Sequence, residues 1–215
     1  MTLRLTPAPH PAEAYSDFPS PPPQPLHELP TLVSPRLSLR PVEARDASQL
    51  YGIFSDALTM RFWHQPPLRS QREMAAHLEA DDREDQRGRR LQWGVTLTGS
   101  GQIVGLCHLA QIQPTQRRAH IGFVLARAHW GHGYGLEALA VLLDHAFGQL
   151  LLRRLEADVD ARNLHYLKTL ETLGFKPEGY LRQRWLVDGQ ARDSVLLGLL
   201  AHDHRVQTST ETTPR

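Results

Sequence analysis

The stretch His129-Trp-Gly-His-Gly-Tyr-Gly-Leu-Glu-Ala-Leu-Ala-Val-Leu-Leu-Asp-His-Ala-Phe147 joins two patterns of different physical meaning. Its first part places glycine at alternate positions 131, 133 and 135. From Leu136 onward, apolar residues recur at helical spacing (Leu136, Leu139, Ala140, Leu143, Ala146 and Phe147). A glycine-rich turn that leads into a helix presents free backbone N–H groups and the positive end of the helix dipole. The stretch therefore predicts a binding site for an anion, such as a phosphate.

The residues around this stretch predict a mixed α/β domain. Ala119–Leu125 alternates as a strand directly before the glycine turn, and Leu91–Leu97 with Gln102–Ile112 predicts a hairpin around Thr98-Gly-Ser-Gly101. A second hairpin is expected around Asp188-Gly189 near the end of the chain. Capping signals at Asp46, Ser70 and Asn163 indicate three further helices. The element order is β-α-α-β-β-β-α-β-α-β-β, with about seven strands and about four helices.

The ends of the chain differ in composition from this middle part. Residues 1–35 hold ten of the sixteen prolines, which favours a disordered or polyproline-like arm. Residues 201–215 are rich in threonine and are expected to form a flexible tail. The expected organisation is thus an arm over 1–35, one domain over 36–200 and a tail over 201–215.

Composition excludes several classes of protein. The net charge is +1, with 24 basic and 23 acidic side chains, so no strong field points to nucleic acid or an anionic membrane as a partner. We find neither the apolar core of a signal peptide nor the roughly 20 apolar residues of a membrane span, and we expect a cytoplasmic protein. The single cysteine, Cys107, precludes an intrachain disulfide and favours a small buried residue over a metal ligand or a nucleophile.

Nucleotide-binding folds explain the glycine turn less well. A dinucleotide-binding fold requires the glycine motif after the first strand of repeated βαβ units, whereas here it follows an antiparallel meander. A P-loop requires Gly-Lys followed by Ser or Thr, which is absent from the turn.

The chain resembles the GNAT family of acyl-CoA-dependent N-acetyltransferases over nearly all of residues 36–200. The resemblance rests on Trp130-Gly-His-Gly-Tyr-Gly-Leu-Glu-Ala138, with Ile121-Gly-Phe123 before it, and Asn163 and Leu173-Gly-Phe175 after it. These landmarks are similar to those of the branch that acts on ribosomal-protein N-termini, the RimJ/RimL type. The resemblance implies a mostly antiparallel sheet flanked by helices. It also implies acetyl transfer from acetyl-CoA to a primary amine by direct attack in a ternary complex.

The resemblance also assigns residues that bind the donor. The pyrophosphate of acetyl-CoA would lie on backbone N–H groups in the segment Gly131, His132, Gly133, Tyr134, Gly135 and Leu136. The pantetheine arm would run along the strand at Phe123, Val124 and Leu125, where the Val124 N–H would face the thioester oxygen. Two side chains keep alternative interpretations: His132 contacts the phosphates or is an exposed loop residue, and Asn163 contacts the pantetheine or caps its helix.

Two residues are candidates for moving protons. His120 shares a strand face with Gly122 and Val124 by period-two alternation, and an imidazole is suited to accept a proton from the amine. Tyr166 occupies a position where the branch often has serine; its phenol would donate to the leaving sulfur, or the ring would simply pack. Glu73, Asp81 and Glu156 are further residues that could line the acceptor cleft.

The acceptor is open between two kinds of amine. A lysine side chain costs about 4 to 5 kcal/mol to deprotonate at pH 7, while an α-amine costs only about 1 kcal/mol. This favours a protein N-terminal α-amine, with a small-molecule amine as the second choice. A catalytically degenerate protein that only senses acyl-CoA is the alternative from another class. We expect no metal, no nucleic acid and no membrane as partners, and a monomer or homodimer.

Overall fold

The computed structural model describes residues 29–204, which form an eight-stranded sheet with helices on both faces. The strands are β1 Leu32–Val33, β2 Leu37–Pro41, β3 Arg90–Leu97, β4 Ile103–Gln113, β5 Arg118–Leu125, β6 Arg154–Asp160, β7 Lys176–Val187 and β8 Gln190–Leu200. The helices are α1 Ala47–Phe54, α2 Ala57–Met60, α3 Gln71–Gln86, α4 Tyr134–Gly148 and α5 Leu164–Thr172. The expected mixed α/β fold is confirmed, and the short β1 and α2 are added to the predicted order.

The sheet is antiparallel except at its centre. Its order is β1-β2-β3-β4-β5-β6-β8-β7, and only β5 and β6 are parallel neighbours. These two strands pair at only three positions, Arg118 with Arg154, Ala119 with Leu155 and His120 with Glu156. Beyond His120, β5 continues to Leu125 without a partner on its β6 side. The sheet therefore opens into a gap between β5 and β6.

Side-chain alternation along the strands separates two cores. On one face, α4 packs Leu139, Leu142 and Leu143 against the sheet in a cluster that also holds Cys107 and Ile121. On the other face, α1 and α3 bury a second cluster (Leu50, Ile53, Phe54, Met60, Met74, Leu78, Ile103, Leu106 and Val124). Cys107 is fully buried, as expected, and burial raises the pKa of its thiol. The thiolate needed for nucleophilic attack is thereby disfavoured.

Local capping residues mark the start of α3 and both ends of α5, as the sequence predicted. The Ser70 hydroxyl accepts a hydrogen bond from the Glu73 N–H at 3.2 Å, and the Asn163 side chain accepts from the Tyr166 N–H at 3.3 Å. Gly174 follows α5 with a φ of +88°, the left-handed conformation that terminates helices. Asp46 precedes α1, but its carboxylate is bound by Arg40 and the Glu43 N–H instead of capping the helix.

Ordered contacts extend a few residues beyond 36–200 at both ends. Leu32 and Val33 pair with β2, and the Pro30 carbonyl accepts a hydrogen bond from the buried Trp93 indole at 2.9 Å. At the other end, residues 201–204 are helical, and the His204 ring lies 2.8 Å from the Asp144 carboxylate. These contacts lie at the inner edges of the expected arm over 1–35 and tail over 201–215, and the division into arm, domain and tail stays a prediction. Residues 1–28 and 205–215 lie outside the described part of the chain.

Candidate active site

Two connected cavities open at the gap between β5 and β6. The larger, here called the large cleft, has a volume of about 770 Å³. Its walls include β5 at Phe123–Leu125, the glycine turn, and the start of α5. The smaller, here called the inner pocket, has a volume of about 250 Å³ and is lined by β5 at 120–123 and by β6 at 158–160. Phe123, Asn163 and Tyr166 line both cavities and mark the place where they meet.

The glycines of the turn have two different physical roles. Gly131 and Gly133 have φ values of +79° and +76°, which side chains with a Cβ rarely adopt. Gly135 lies under the ring of Phe123, where an added Cβ would be 3.0 Å from the ring edge. The first two glycines therefore permit the turn, and the third lets α4 approach β5. The turn leaves the N–H groups at the start of α4 beside the large cleft.

Most of the predicted donor-binding residues line the large cleft. These are Phe123, Val124, Leu125, Gly131, Gly133, Tyr134, Gly135, Leu136 and Asn163. His132 does not line it: its ring stacks on Tyr134 at a centroid distance of 5.6 Å, and its Nδ1 lies 2.8 Å from the Trp130 carbonyl oxygen. The exposed-loop interpretation of His132 therefore agrees with its position better than a phosphate contact.

The strand register bears on the expected role of the Val124 N–H. The Ala126 N–H donates to the Val104 carbonyl of β4 at 2.8 Å, and Val124 lies opposite Leu106 in the same register. Backbone groups alternate sides along a strand, so the Val124 N–H also points to β4. The N–H groups of Phe123 and Leu125 point instead to the open side of β5. Val124 lines the cleft, but its N–H points to β4 and away from the open side of β5.

His120 lies in the inner pocket beside a carboxylate. Its Nε2 is 3.1 Å from Glu156 on β6, and Arg118 and Arg154 bind the same carboxylate at 2.9 and 2.7 Å. Burial lowers the pKa of His120 below its usual 6.5, and the attraction of Glu156 offsets this only in part. The imidazole is therefore mostly neutral at pH 7 and free to accept a proton. His120 and Gly122 share the pocket, as their alternation predicted.

Tyr166 places a buried hydroxyl where the two cavities meet. The hydroxyl oxygen has no hydrogen-bond partner among residues 29–204. Burial, with a smaller contribution from Cys107, raises the pKa of this phenol, so it keeps its proton at neutral pH. A buried polar atom without a partner is uncommon in native proteins, and at a cavity junction it points to a ligand as the missing partner.

The inner pocket contains groups that the sequence did not single out. His64 and Trp185 line it with ring centroids 4.9 Å apart, and the Trp185 indole N–H donates to Asp158 at 3.3 Å. His108 also lines the pocket, and its ring lies against Gly122, where an added Cβ would be 2.3 Å from the ring. Burial lowers the pKa of His108 well below 6.5, so this ring is neutral. These residues come from four separate elements, and their spacing in the sequence carries no signal of proximity.

The carboxylates near the inner pocket are each paired with arginine. Asp158 accepts from Arg184 at 3.0 Å, and Asp160 binds Arg162 at 2.6 Å. Glu156 is held by Arg118 and Arg154, as described above. Of the other acidic candidates, Asp81 pairs with Arg90 at 3.1 Å and Glu73 caps α3 on the surface. The pocket therefore offers polar groups with little net charge.

The site combines a glycine turn before a helix, an open strand edge and two cavities that meet there. This combination is expected of an enzyme that brings a phosphate-bearing donor to a second substrate. A family model described as an acetyltransferase (GNAT) domain matches residues 36–176. The chain belongs to the GNAT acetyltransferase family and is an acetyl-CoA-dependent acyltransferase of the N-acetyltransferase type.

Curated relatives match over most of the chain. An uncharacterized N-acetyltransferase, p20 of Bacillus licheniformis, is 29% identical over 81% of this chain and 98% of its own length. The spermidine N(1)-acetyltransferase of Escherichia coli K12 is 26% identical over 81% of this chain and 91% of its own. The [ribosomal protein uS5]-alanine N-acetyltransferase of the same organism is 25% identical over 80% and 91%.

Solved structures share the fold. Mycobacterium smegmatis RimJ in complex with CoA-disulfide has a TM-score of 0.72 and 26% identity, over 84% of this chain and 95% of its own. A Vibrio cholerae spermidine N-acetyltransferase in complex with CoA and spermine also has a TM-score of 0.72, with 22% identity, over 80% of this chain and 99% of its own. None of the helices within residues 29–204 is long and apolar enough to cross a membrane.

Proposed function

We propose that this protein transfers the acetyl group of acetyl-CoA directly to a primary amine, with donor and acceptor bound at the same time. The observation that carries this proposal is the meeting of the two cavities at Phe123, Asn163 and Tyr166. A thioester in the large cleft and an amine in the inner pocket would face each other there. Since reactants held in attack geometry gain a large entropic advantage, no acyl-enzyme is required.

The donor would bind through backbone groups. Its pyrophosphate would lie on the N–H groups that begin α4, between Gly131 and Leu136. The pantetheine arm would extend along the open edge of β5 as an added strand. The N–H groups of Phe123 and Leu125 point to this side, and we assign to them the main-chain contacts with the pantetheine and, in place of the Val124 N–H, the contact with the thioester oxygen.

The acceptor amine would lose its proton to His120. With its Nε2 directed at Glu156, the imidazole keeps the Nδ1 lone pair for a proton from the amine, directly or through one water. The neutral amine attacks the thioester carbonyl carbon and the C–N bond forms. The positively charged nitrogen of the tetrahedral intermediate then releases a proton to solvent, and the C–S bond breaks as the intermediate collapses. The Tyr166 hydroxyl would donate its proton to the departing thiolate, and the ring would recover it from solvent.

The charge balance of the inner pocket supports an α-amine as the acceptor. A polyamine keeps further ammonium groups when one nitrogen is deprotonated, and each needs a carboxylate. Here Asp158, Asp160 and Glu156 are already paired with arginines. A base with a lowered pKa also suits an amine that deprotonates readily, since freeing an α-amine at pH 7 costs about 1 kcal/mol and freeing a lysine about 4 to 5 kcal/mol. We therefore place a protein N-terminus, the acceptor of the uS5-alanine relative, ahead of spermidine.

Thiol release from acetyl-CoA tests the proposal across a panel of acceptors. The panel contains short peptides with a free N-terminus, the same peptides with a blocked N-terminus and a free lysine, and spermidine. We expect turnover with the free N-terminal peptides to exceed turnover with the other two groups. Faster turnover with spermidine would reverse the acceptor assignment. CoA binding without turnover on any amine would instead support a catalytically degenerate acyl-CoA sensor.

A further inference from the structure

The first turn of α4 is tied to the beginning of the domain by one carboxylate. Glu137 accepts hydrogen bonds from the Ser34 hydroxyl at 2.7 Å, the Arg36 N–H at 2.9 Å and the Arg36 Nε at 2.6 Å. Its side chain is only 15% exposed. Burial alone would raise the pKa of Glu137, but the bonds from Ser34 and Arg36 outweigh burial and lower it. The carboxylate is therefore ionised and held at neutral pH.

Arg36 reaches past Glu137 to the glycine turn itself. Its NH1 group donates to the His132 carbonyl at 2.9 Å, and its guanidinium carbon lies 4.8 Å from the centre of the Tyr134 ring. One flat side chain thus bridges the first turn of α4 and the centre of the turn before it. Arg36 is not among the residues that line the large cleft, so it supports the turn from behind.

Peptide geometry links this contact to the anion site. In a planar trans peptide, the carbonyl of one residue and the N–H of the next point in opposite directions. The bond from Arg36 to the His132 carbonyl therefore directs the Gly133 N–H away from Arg36. Gly133 lines the large cleft, so its N–H is directed to the side of the cleft. The turn needs such support, because two left-handed glycines flank His132 and glycine restricts the backbone least.

We propose that Arg36 is a positioning residue for the donor: it fixes the His132–Gly133 peptide so that the Gly133 N–H faces the diphosphate of a CoA thioester. At the start of the turn, the Trp130 indole N–H donates to the Leu125 carbonyl at 2.7 Å and so ties this end of the turn to β5. The inference rests on the proposed use of the large cleft by the donor. It concerns only the diphosphate end of that donor, because Gly131 and Gly133 line the large cleft but not the inner pocket.

A comparison of two donors tests this role. S-acetyl-pantetheine carries the same thioester as acetyl-CoA but lacks the diphosphate. In Arg36→Met we expect the KM for acetyl-CoA to rise about tenfold, as the loss of one oriented hydrogen bond predicts, with kcat nearly unchanged. We expect kcat/KM for S-acetyl-pantetheine to stay at the wild-type value, which also shows that the variant folds. Equal loss with both donors, or no loss with either, would overturn the proposal.

Two further variants sharpen the result. Arg45→Met removes an arginine whose side chain is 72% exposed and bonded to Glu43 on the surface, and it should leave both donors unaffected. Arg36→Lys keeps the charge, but a single ammonium cannot bridge Glu137 and the His132 carbonyl as the guanidinium does. Wild-type KM in Arg36→Lys would show that charge alone suffices and would refute the bridging geometry, whereas a KM close to that of Arg36→Met supports it.

Calorimetric titration with CoA and with pantetheine separates this inference from the proposed reaction. In Arg36→Met, CoA should bind about tenfold more weakly than to the wild type, while pantetheine should bind equally to both proteins. That result would sustain the role of Arg36 even if no amine were acetylated. Unchanged CoA binding would refute it, whatever the acceptor panel shows.

Discussion

Replacing Tyr166 by phenylalanine should make the protein more stable and less active at the same time. The Tyr166 hydroxyl is buried and has no hydrogen-bond partner among the described residues. An unpaired buried polar group costs about 1 to 3 kcal/mol, and phenylalanine removes only the hydroxyl while leaving the ring in place. At the lower end of that range, Tyr166→Phe should raise the free energy of unfolding by about 1 kcal/mol. For a domain of this size, that corresponds to an increase in Tm of about 3 °C.

The effect on catalysis should have the opposite sign. If the hydroxyl protonates the leaving thiolate, kcat should fall about a hundredfold, which is the lower range for a general acid because a thiolate is already a good leaving group. KM for acetyl-CoA should change little, since Asn163 and the backbone of β5 are untouched. The stability assay is thermal unfolding without acetyl-CoA, and the activity assay is thiol release under saturating donor and acceptor.

Tyr180→Phe is the matched control. The Tyr180 hydroxyl is exposed and donates to Asp193 at 2.7 Å, away from both cavities. Its removal should not stabilise the protein and should leave kcat at the wild-type value. A lower Tm in Tyr166→Phe would mean that the hydroxyl is satisfied in the folded protein. An unchanged kcat would show that Tyr166 only packs at the junction.

Three more substitutions test other parts of the structure. His120→Ala should lower kcat/KM about a hundredfold and abolish the acidic limb expected in the pH profile of the wild type. That limb should lie below the ordinary histidine pKa of 6.5, because burial lowers the pKa of this imidazole; a variant with the same acidic limb would contradict the base assignment. Gly122→Ala should weaken amine binding and stability, because the new Cβ would lie 2.3 Å from the His108 ring, and His108→Ala in the same chain should relieve part of the loss. Asp46→Asn should lower the free energy of unfolding by about 2 kcal/mol in urea titrations, because the buried Asp46 holds Arg40 with two bonds of 2.8 Å. Burial raises the pKa of Asp46, but the bonds from Arg40 and the Glu43 N–H outweigh burial and lower that pKa below 3.8. The difference in free energy of unfolding between the wild type and Asp46→Asn should therefore be complete above pH 4 and shrink as the pH falls further.

The donor side of the site was largely predictable, because its chemistry lies in consecutive residues. The alternate glycines, the helix that follows them and the strand before them are short-range patterns, and nine predicted donor-binding residues line the large cleft. Asn163 was predictable as a cap for the same reason, since its partner is three residues away. Val124 shows the limit: which side of β5 an N–H faces depends on the register with β4, and that register is set by the packing of two faces.

The acceptor side was much less predictable. His64, His108, Asp158 and Trp185 come from separate strands and loops, and only the folded sheet brings them around the inner pocket. His120 was singled out by alternation along its own strand. Glu156 was named only as a residue that could line the acceptor cleft, and its contact with His120 was not predicted, because the pairing of β5 with β6 joins residues 36 positions apart. The proline-rich composition near residue 30 likewise gave no indication that Leu32 and Val33 pair with β2, because that pairing depends on contacts between strands.

By itself, the sequence determined most of the order of the elements and the glycine turn before α4, and it predicted an anion site there, since each depends on interactions within a few residues of the chain. The tertiary structure alone decided where β5 and β6 separate, which backbone N–H groups face the gap, and how Arg36 reaches the His132 carbonyl across 96 positions. These features depend on the register of the sheet and on contacts between residues far apart in the chain. Such contacts form only when the two cores pack against opposite faces of the sheet, and no local pattern records them.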